Sequence, residues 1–102
     1  MSYQVLRTDT ADEQIRDIAH HLAATSGNHA ALGFIDGLEA ASARLSSFPR
    51  LGLVPKWGAL ARQGFRILVV KSYVVLYTID DERKRVIIES VVYGRREYWR
   101  LS

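Results

Sequence analysis

Helical periodicity of the apolar residues dominates the first half of the chain. One stripe, with Asp9 or Thr10 as the expected cap and Gly27 as the end, comprises Ala11, Ile15, Ile18, Ala19 and Leu22. A second stripe, capped by Asn28 and ended by Pro49, comprises Ala31, Phe34, Ile35, Leu38, Ala41, Leu45 and Phe48. Because only residues 26–28 connect the two helices, we expect them to form an antiparallel hairpin.

The pattern in the last third is that of strands. Residues 65–70, 73–79 and 85–92 are dense in β-branched and aromatic side chains, with a tight turn at 71–72 and a longer polar turn at 80–84. A weaker alternation at residues 3–7 predicts a first strand. The order β-α-α-β-β-β predicts an α+β fold, in which the helical hairpin packs on one face of a small, mainly antiparallel, twisted sheet. Alternation places Tyr73 and Tyr77 on the core-facing side.

Length and composition fit one domain that spans residues 1–102. The chain is 48% hydrophobic and 25% charged, which is typical of a single globular core. It contains no cysteine, which excludes disulfides, thiolate metal sites and thiol nucleophiles. No signal peptide or membrane-length apolar run is evident, so we expect a soluble, cytoplasmic protein without a membrane partner.

Charge divides the chain into two unlike parts. Up to Pro49 there are three basic and six acidic residues, whereas from Arg50 onward there are eleven basic and five acidic ones. Such a division indicates a basic face suited to nucleic acid or to an acidic partner. The alternative, that these charges are simply solvated, is equally compatible with the composition.

Conventional catalytic groups are missing from the sequence. His20, His21 and His29 have no partner at metal-ligand spacing, and no phosphate loop, dinucleotide motif or nucleophile elbow occurs. Gly33 and Gly37, four residues apart on the second helix, are expected to permit close helix packing. We therefore expect neither a metal site nor a small-molecule cofactor.

Basic and aromatic residues of the second half are the stronger candidates for a binding site. Arginine holds phosphate through paired hydrogen bonds, and aromatic rings stack on exposed bases. The candidates for target or nucleic-acid binding are Lys56, Arg62, Lys71, Arg95, Arg96, Trp99 and Arg100. For Tyr93, Tyr98 and Trp99, which lie outside the apolar run, core packing and surface function are both open.

Two blocks of the last third follow a known pattern. Phe65-Arg66, Tyr73, Tyr77 and Asp80 match a block written YR-x6-Y-x3-Y-x2-D. Val91, Gly94, Arg96 and Glu97 match a terminal block written V-x-H-G-x-R-D, closely or conservatively. With the preceding helical hairpin and residues 48–52 at its exit, the chain resembles the RelE/ParE superfamily of type II toxin–antitoxin toxins over nearly its whole length.

The resemblance implies one fold with two activities. RelE-like members cut messenger RNA on the ribosome, and ParE-like members inhibit DNA gyrase. Two positions depart from the ribonuclease pattern, because the strand arginine is replaced by Val74 and the tail histidine by Tyr93. If this chain is nonetheless a ribonuclease, the resemblance assigns catalysis to Arg66, Tyr93, Arg95, Arg96 and Tyr98.

We therefore expect a growth-arresting toxin that is neutralised by a cognate antitoxin protein. The two departures favour ParE-like inhibition of DNA gyrase. The first alternative is a RelE-like endoribonuclease that acts on the ribosome and its messenger RNA. The second alternative is a non-toxic homologue that only binds a partner.

Overall fold

The computed structural model describes residues 2–94, and the predicted order of elements is confirmed within them. The elements are β1 (Gln4–Arg7), α1 (Asp9–Ser26), α2 (Asn28–Ser47), α3 (Ala59–Arg62), β2 (Arg66–Val70), β3 (Tyr73–Asp80) and β4 (Arg85–Tyr93). The short helix α3 lies in a stretch that the sequence pattern predicts to be irregular. Within residues 2–94, no helix has the length and apolar character needed to cross a membrane.

The cap of helix α1 is Thr8, one residue before the earlier of the two predicted caps. Thr8 has an extended backbone, and its Oγ1 accepts a hydrogen bond from the Ala11 amide at 3.1 Å. Asp9 and Thr10 are already inside the helix, so the prediction of either as the cap is wrong. The predicted apolar stripe is confirmed at Ala11, Ile15 and Leu22, which are buried.

A single glycine reverses the chain between the two long helices. Gly27 has φ of 93°, ends α1 and precedes the first residue of α2. Asn28 is thus inside α2, and the helix start has no side-chain cap, which corrects the predicted Asn28 cap. Glycine suits this position because it adopts positive φ without a steric penalty.

The end of α2 decides the environment of Phe48. The helix ends at Ser47, and Phe48 follows with φ of −133°. Helical spacing no longer applies at that position, and the Phe48 side chain is 66% exposed. The prediction that Phe48 completes the buried stripe is therefore wrong, whereas Phe34, Leu38, Ala41 and Leu45 are buried as predicted.

The four strands form one sheet in the order β1-β4-β3-β2. Strands β2, β3 and β4 pair in an antiparallel meander, and β1 pairs in parallel with β4, so the sheet is mainly antiparallel as predicted. In this register Tyr73 lies opposite Tyr93 and Arg66 lies opposite Tyr77. Directly opposed residues share one face of a sheet, which fixes the side on which each candidate residue lies.

Apolar side chains fill both faces of this sheet. The larger cluster lies between the helical hairpin and the sheet and includes Tyr73 and Tyr77, which confirms that both are core residues. The smaller cluster lies on the other face and comprises Leu60 of α3 with Ile67, Val74 and Leu76. The pattern predicted only the first, because its helical partners are long and easily recognised.

Candidate functional site

Tyr77 holds the segment that follows α2 against the sheet through two hydrogen bonds. Its hydroxyl donates to the Pro49 carbonyl at 2.8 Å and accepts from the Gly52 amide at 2.8 Å. A Cβ on Gly52 would lie 2.7 Å from that hydroxyl and 3.0 Å from the Ile67 carbonyl oxygen. Glycine is therefore the residue that lets the chain pass this close to the tyrosine ring.

Arg66, on the neighbouring strand β2, forms hydrogen bonds with the same segment. Its Nη1 donates to the carbonyl of Arg50 at 3.3 Å and to that of Gly52 at 3.1 Å. Leu53 and Ile67 then exchange two backbone hydrogen bonds of 2.8 Å. The guanidinium proposed for catalysis is thus bonded to backbone carbonyls, which is a structural use of its donors.

An exposed cluster of Tyr3, Arg50 and Asp81 adds a third contact between the segment that follows α2 and the sheet. Arg50 forms an ion pair of 2.5 Å with Asp81 in the turn between β3 and β4, and the Tyr3 hydroxyl donates to the same carboxylate at 2.6 Å. The hydrogen bond from Tyr3, followed by that from Arg50, lowers the pKa of Asp81. The same contact with Asp81 raises the pKa of Arg50, which stays protonated.

The segment held in this way presents its apolar side chains to solvent. We call the residues Phe48, Leu51, Leu53, Val54 and Trp57 the apolar strip. Their exposed fractions range from 43% for Leu51 to 74% for Trp57. A hollow of about 450 Å³, lined by residues 47–51, lies at one end of the strip. Large apolar residues concentrated in this way on a small protein mark an interaction surface.

The opposite end of β3, at Tyr73, is less tightly packed. The Tyr73 side chain is buried, and its hydroxyl has no hydrogen-bond partner among the described residues. Burial raises the pKa of Tyr73, although Arg44 opposes the shift. A Cβ on Gly37 would lie 2.8 Å from this hydroxyl, while Gly33 has nothing within 4 Å. The predicted close packing thus applies to Gly37 alone, and it is against the sheet.

Tyr93 lies beside this loosely packed end. Its ring meets Phe34 edge-on, with 6.3 Å between centroids, and 41% of the residue is exposed. A cavity of about 300 Å³ opens there, lined by residues of both long helices and of the β2–β3 turn together with Tyr73 and Tyr93. Val74 points to the other face and is fully buried in the smaller cluster. Positions 74 and 93 therefore lie on opposite sides of the sheet.

The register also separates Arg66 from Tyr93. They lie two strands apart, and their partners on β3 are Tyr77 and Tyr73, four residues apart. Strand spacing and rise place their Cα atoms roughly 16 Å apart. Because the Arg66 side chain is directed to the carbonyls of residues 50 and 52, the two groups do not meet at one phosphate.

The remaining predicted site residues are distributed over several elements. Lys56 lies in the strip segment, Arg62 ends α3 and Lys71 lies in the β2–β3 turn, and all three are exposed. The other candidates, Arg95, Arg96, Tyr98, Trp99 and Arg100, lie outside the described residues. No group of three or more metal-ligating side chains occurs in residues 2–94.

The apolar strip was missed by the sequence pattern. Four of its members lie in the stretch predicted to be irregular, and the fifth, Phe48, falls on the helical stripe that the spacing predicts to be buried. The available signal was the occurrence of Leu51, Leu53, Val54 and Trp57 in a segment rich in glycine and proline. Such a segment has no regular face to bury them, so exposure was the simpler expectation.

Comparison with known structures supports the fold. A chain of the chromosomal ParDE system from P. aeruginosa is 14% identical with a TM-score of 0.73, and 92% of this chain covers 98% of that one. A chain of the toxin–antitoxin complex RelBE2 from Mycobacterium tuberculosis is 26% identical with a TM-score of 0.67, covering 91% of this chain and 92% of that one. A chain of the intact E. coli RelBE complex is 17% identical with a TM-score of 0.59, covering 93% and 100%.

Comparison of sequences identifies the family. No curated protein sequence gives a significant match. A family model described as the ParE toxin of the type II toxin–antitoxin system, parDE, matches residues 5–98, which is nearly the whole chain. The fold, the blocks around Arg66 and Gly94 and this match agree, and the chain belongs to the ParE toxin family of type II toxin–antitoxin systems.

Proposed function

We propose that this chain arrests growth by binding and inhibiting DNA gyrase, acts as one toxin domain, and does not cleave RNA. A cognate antitoxin neutralises it. The observation that carries this conclusion is the separation of Arg66 from Tyr93, the two candidate catalytic groups within residues 2–94. Arg66 is bonded to two backbone carbonyls roughly 16 Å from Tyr93 by strand geometry, so these two groups are not placed to polarise a phosphate and move a proton together.

The environment of Val74 supports the same reading. At this position the resemblance implies a strand arginine in ribonucleases, yet here the side chain is fully buried among Leu60, Ile67 and Leu76. An apolar side chain cannot stabilise the charge that develops on a phosphate during cleavage. Under the proposed function the position only packs the second face of the sheet.

The antitoxin partner is supported by the similar structures. Two of them are described as toxin–antitoxin complexes, RelBE2 from Mycobacterium tuberculosis and RelBE from E. coli. We propose that a short acidic protein encoded beside this chain has the corresponding role. Its identity is tested by co-expression, because the correct product restores growth.

Purified protein and purified gyrase provide the decisive experiment. We expect inhibition of DNA supercoiling near stoichiometric amounts, and no new messenger RNA 5′ ends when the protein is incubated with translating ribosomes. Unaffected supercoiling at excess protein, or cleavage at the ribosomal A site, would contradict the proposed function. The double variant R95A/R96A serves as the control, and we expect it to lose inhibition with an unchanged Tm, since target binding is assigned to basic residues.

A further inference from the structure

We propose that the cavity beside the Tyr73 end of β3 binds a small aromatic carboxylate. The cavity has a volume of about 300 Å³ and is enclosed by both long helices, the β2–β3 turn and the side chains of Tyr73 and Tyr93. We call it the aromatic cavity. This inference goes beyond the proposed function, because binding at this site requires neither gyrase nor an antitoxin.

The inner wall of the aromatic cavity is apolar. Leu22, Phe34 and Tyr73 line it and are only 8%, 5% and 4% exposed. The Phe34 ring meets the Tyr73 ring edge-on, with 5.0 Å between centroids, and it meets the Tyr93 ring in the same way at 6.3 Å. Aromatic rings prefer such edge-to-face neighbours, so a flat ring of a ligand would extend this cluster. A cavity of this volume is at the lower end of the range for ligand sites, which favours a compact ligand.

The outer part of the aromatic cavity is polar and rich in hydrogen-bond donors. Ser26, Lys71, Ser72 and Tyr93 line it and are exposed. Within residues 2–94, the hydroxyls of Ser26, Ser72 and Tyr93 form no hydrogen bond. None of the described residues that line the cavity is acidic. Because a carboxylate accepts hydrogen bonds and donates none, it suits a rim of hydroxyls and an ammonium group.

Lys71 gives the aromatic cavity its charge. It is the one charged residue among the described residues that line the cavity, and it forms no ion pair within residues 2–94. A ligand carboxylate next to its ammonium group would form a charge-assisted hydrogen bond, which is stronger than a neutral one. A phosphate fits less well, because the described lining contains no arginine to bind it through two parallel hydrogen bonds.

The backbone of the rim is held in place by the sheet. The Ser72 carbonyl accepts a hydrogen bond from the Gly94 amide at 2.6 Å, and Tyr73 is paired with Val70 on one side and with Tyr93 on the other. A ligand would therefore meet backbone that is already ordered. Binding to a formed site costs less conformational entropy, which favours affinity for a small molecule.

Gly33 allows the aromatic cavity to be filled without a clash. It lines the cavity, and a Cβ at this position would have nothing within 4 Å. We expect indole-3-acetate to bind the full chain with a Kd of about 1 mM or below by calorimetry, and Gly33→Leu to raise that Kd at least about 10-fold. Leu32→Ala is the matched control, since Leu32 is exposed on α2 and does not line the cavity, and it should change Kd less than about 2-fold. Absence of saturable binding to the full chain, or equal binding by Gly33→Leu, would overturn the proposal.

A neutral analogue tests the role of the carboxylate. We expect indole-3-acetamide to bind at least about 5-fold more weakly than indole-3-acetate at low salt, with a smaller difference at high salt. Lys71→Gln should raise the Kd of indole-3-acetate at least about 5-fold and change that of the amide less than about 2-fold. Equal Kd values for the two probes, or an equal loss of both in Lys71→Gln, would overturn the assignment of a carboxylate ligand.

A measurement on the wild-type chain covers the case in which Gly33→Leu fails to fold by circular dichroism. Titration with indole-3-acetate should shift the amide NMR signals of Gly33, Ser72 and Tyr93 and leave those of residues 51–54 unchanged. The reverse pattern would place the ligand on the apolar strip and overturn the proposal. No gyrase or antitoxin enters these measurements, so their failure leaves the proposed function intact.

Discussion

A buried tyrosine packs against a glycine near each end of strand β3, but the hydrogen bonding of the two tyrosine hydroxyls differs. Tyr77 and Tyr73 lie on one face of one strand, both are buried, and each approaches a glycine so closely that a Cβ there would lie 2.7–2.8 Å from the hydroxyl. At the Tyr77 end the hydroxyl makes two hydrogen bonds. At the Tyr73 end it makes none with the described residues, and a cavity of about 300 Å³ lies beside it.

The difference comes from the backbone that each tyrosine meets. Gly37 lies in the middle of α2, where amides and carbonyls are already bonded within the helix. Gly52 lies in an irregular segment whose backbone groups need partners, and the Tyr77 hydroxyl supplies one donor and one acceptor. The Tyr77 hydroxyl therefore forms hydrogen bonds with irregular backbone, whereas the Tyr73 side chain, next to a helix, contributes packing alone among the described residues.

The two glycines give the largest expected contrast. We expect Gly52→Ala to destabilise the fold by about 3 kcal/mol, because the new methyl group meets the Tyr77 ring and a backbone oxygen and breaks the hydroxyl bond. Gly37→Ala should change stability by less than about 1 kcal/mol, because the hydroxyl end of Tyr73 can shift and alanine favours the helix. Urea unfolding of both variants measures the contrast, and similar losses would refute it.

The tyrosines themselves give the next contrast. Tyr77→Phe leaves the Gly52 amide and the Pro49 carbonyl without their partner, and we expect a loss of about 2 kcal/mol. Tyr73→Phe removes a buried hydroxyl that has no described partner, so stability should stay equal or rise by up to about 1 kcal/mol. Thermal unfolding of both variants tests this difference in stability. A Tyr73→Phe variant as unstable as Tyr77→Phe would show that the two hydroxyls contribute equally to stability.

The smallest effect concerns pH and the outer attachment at the Tyr77 end. The pKa of Asp81 is lowered below its usual 3.8 by Tyr3 and Arg50, so its contribution to stability is present above about pH 4 and is lost as pH falls through the folded pKa. We expect Asp81→Asn to lower the urea midpoint at pH 7 and to match the wild type near pH 2.

Glu82→Gln in the same turn is the matched control, since Glu82 has no ion pair among the described residues. It should leave the urea midpoint at pH 7 unchanged. A wild-type advantage over Asp81→Asn that persists undiminished at pH 2 would contradict the role of the Asp81 carboxylate.

Periodicity was sufficient for the elements with long or alternating apolar patterns. Both long helices and the three later strands are where the spacing predicts them, because burial of one face imposes that spacing. The parallel pairing of β1 with β4 does not follow from any pattern, since alternation carries no strand direction. Helix α3 has only four residues, which is too short for periodicity to identify.

The candidate site was less predictable than the fold, for a different physical reason. Residue type identified Arg66 as a possible phosphate ligand, but its Nη1 donates to two backbone carbonyls of the segment after α2. The sequence alone does not show that these carbonyls accept hydrogen bonds from Arg66, because the contact forms only in the folded chain. Phe48 likewise lies just beyond the end of α2 and is exposed, where the stripe predicted burial.

The pairing of β1 with β4 has a consequence for the timing of toxin synthesis. Residues 4–7 find their partners only at residues 85–88, so the first strand stays without its neighbour until those residues have been made. At about 5–20 residues per second, this interval lasts roughly 4–16 s. The four-stranded sheet can therefore close only after residues 85–88 have been made, and a nascent chain lacks the parallel β1–β4 pair until then.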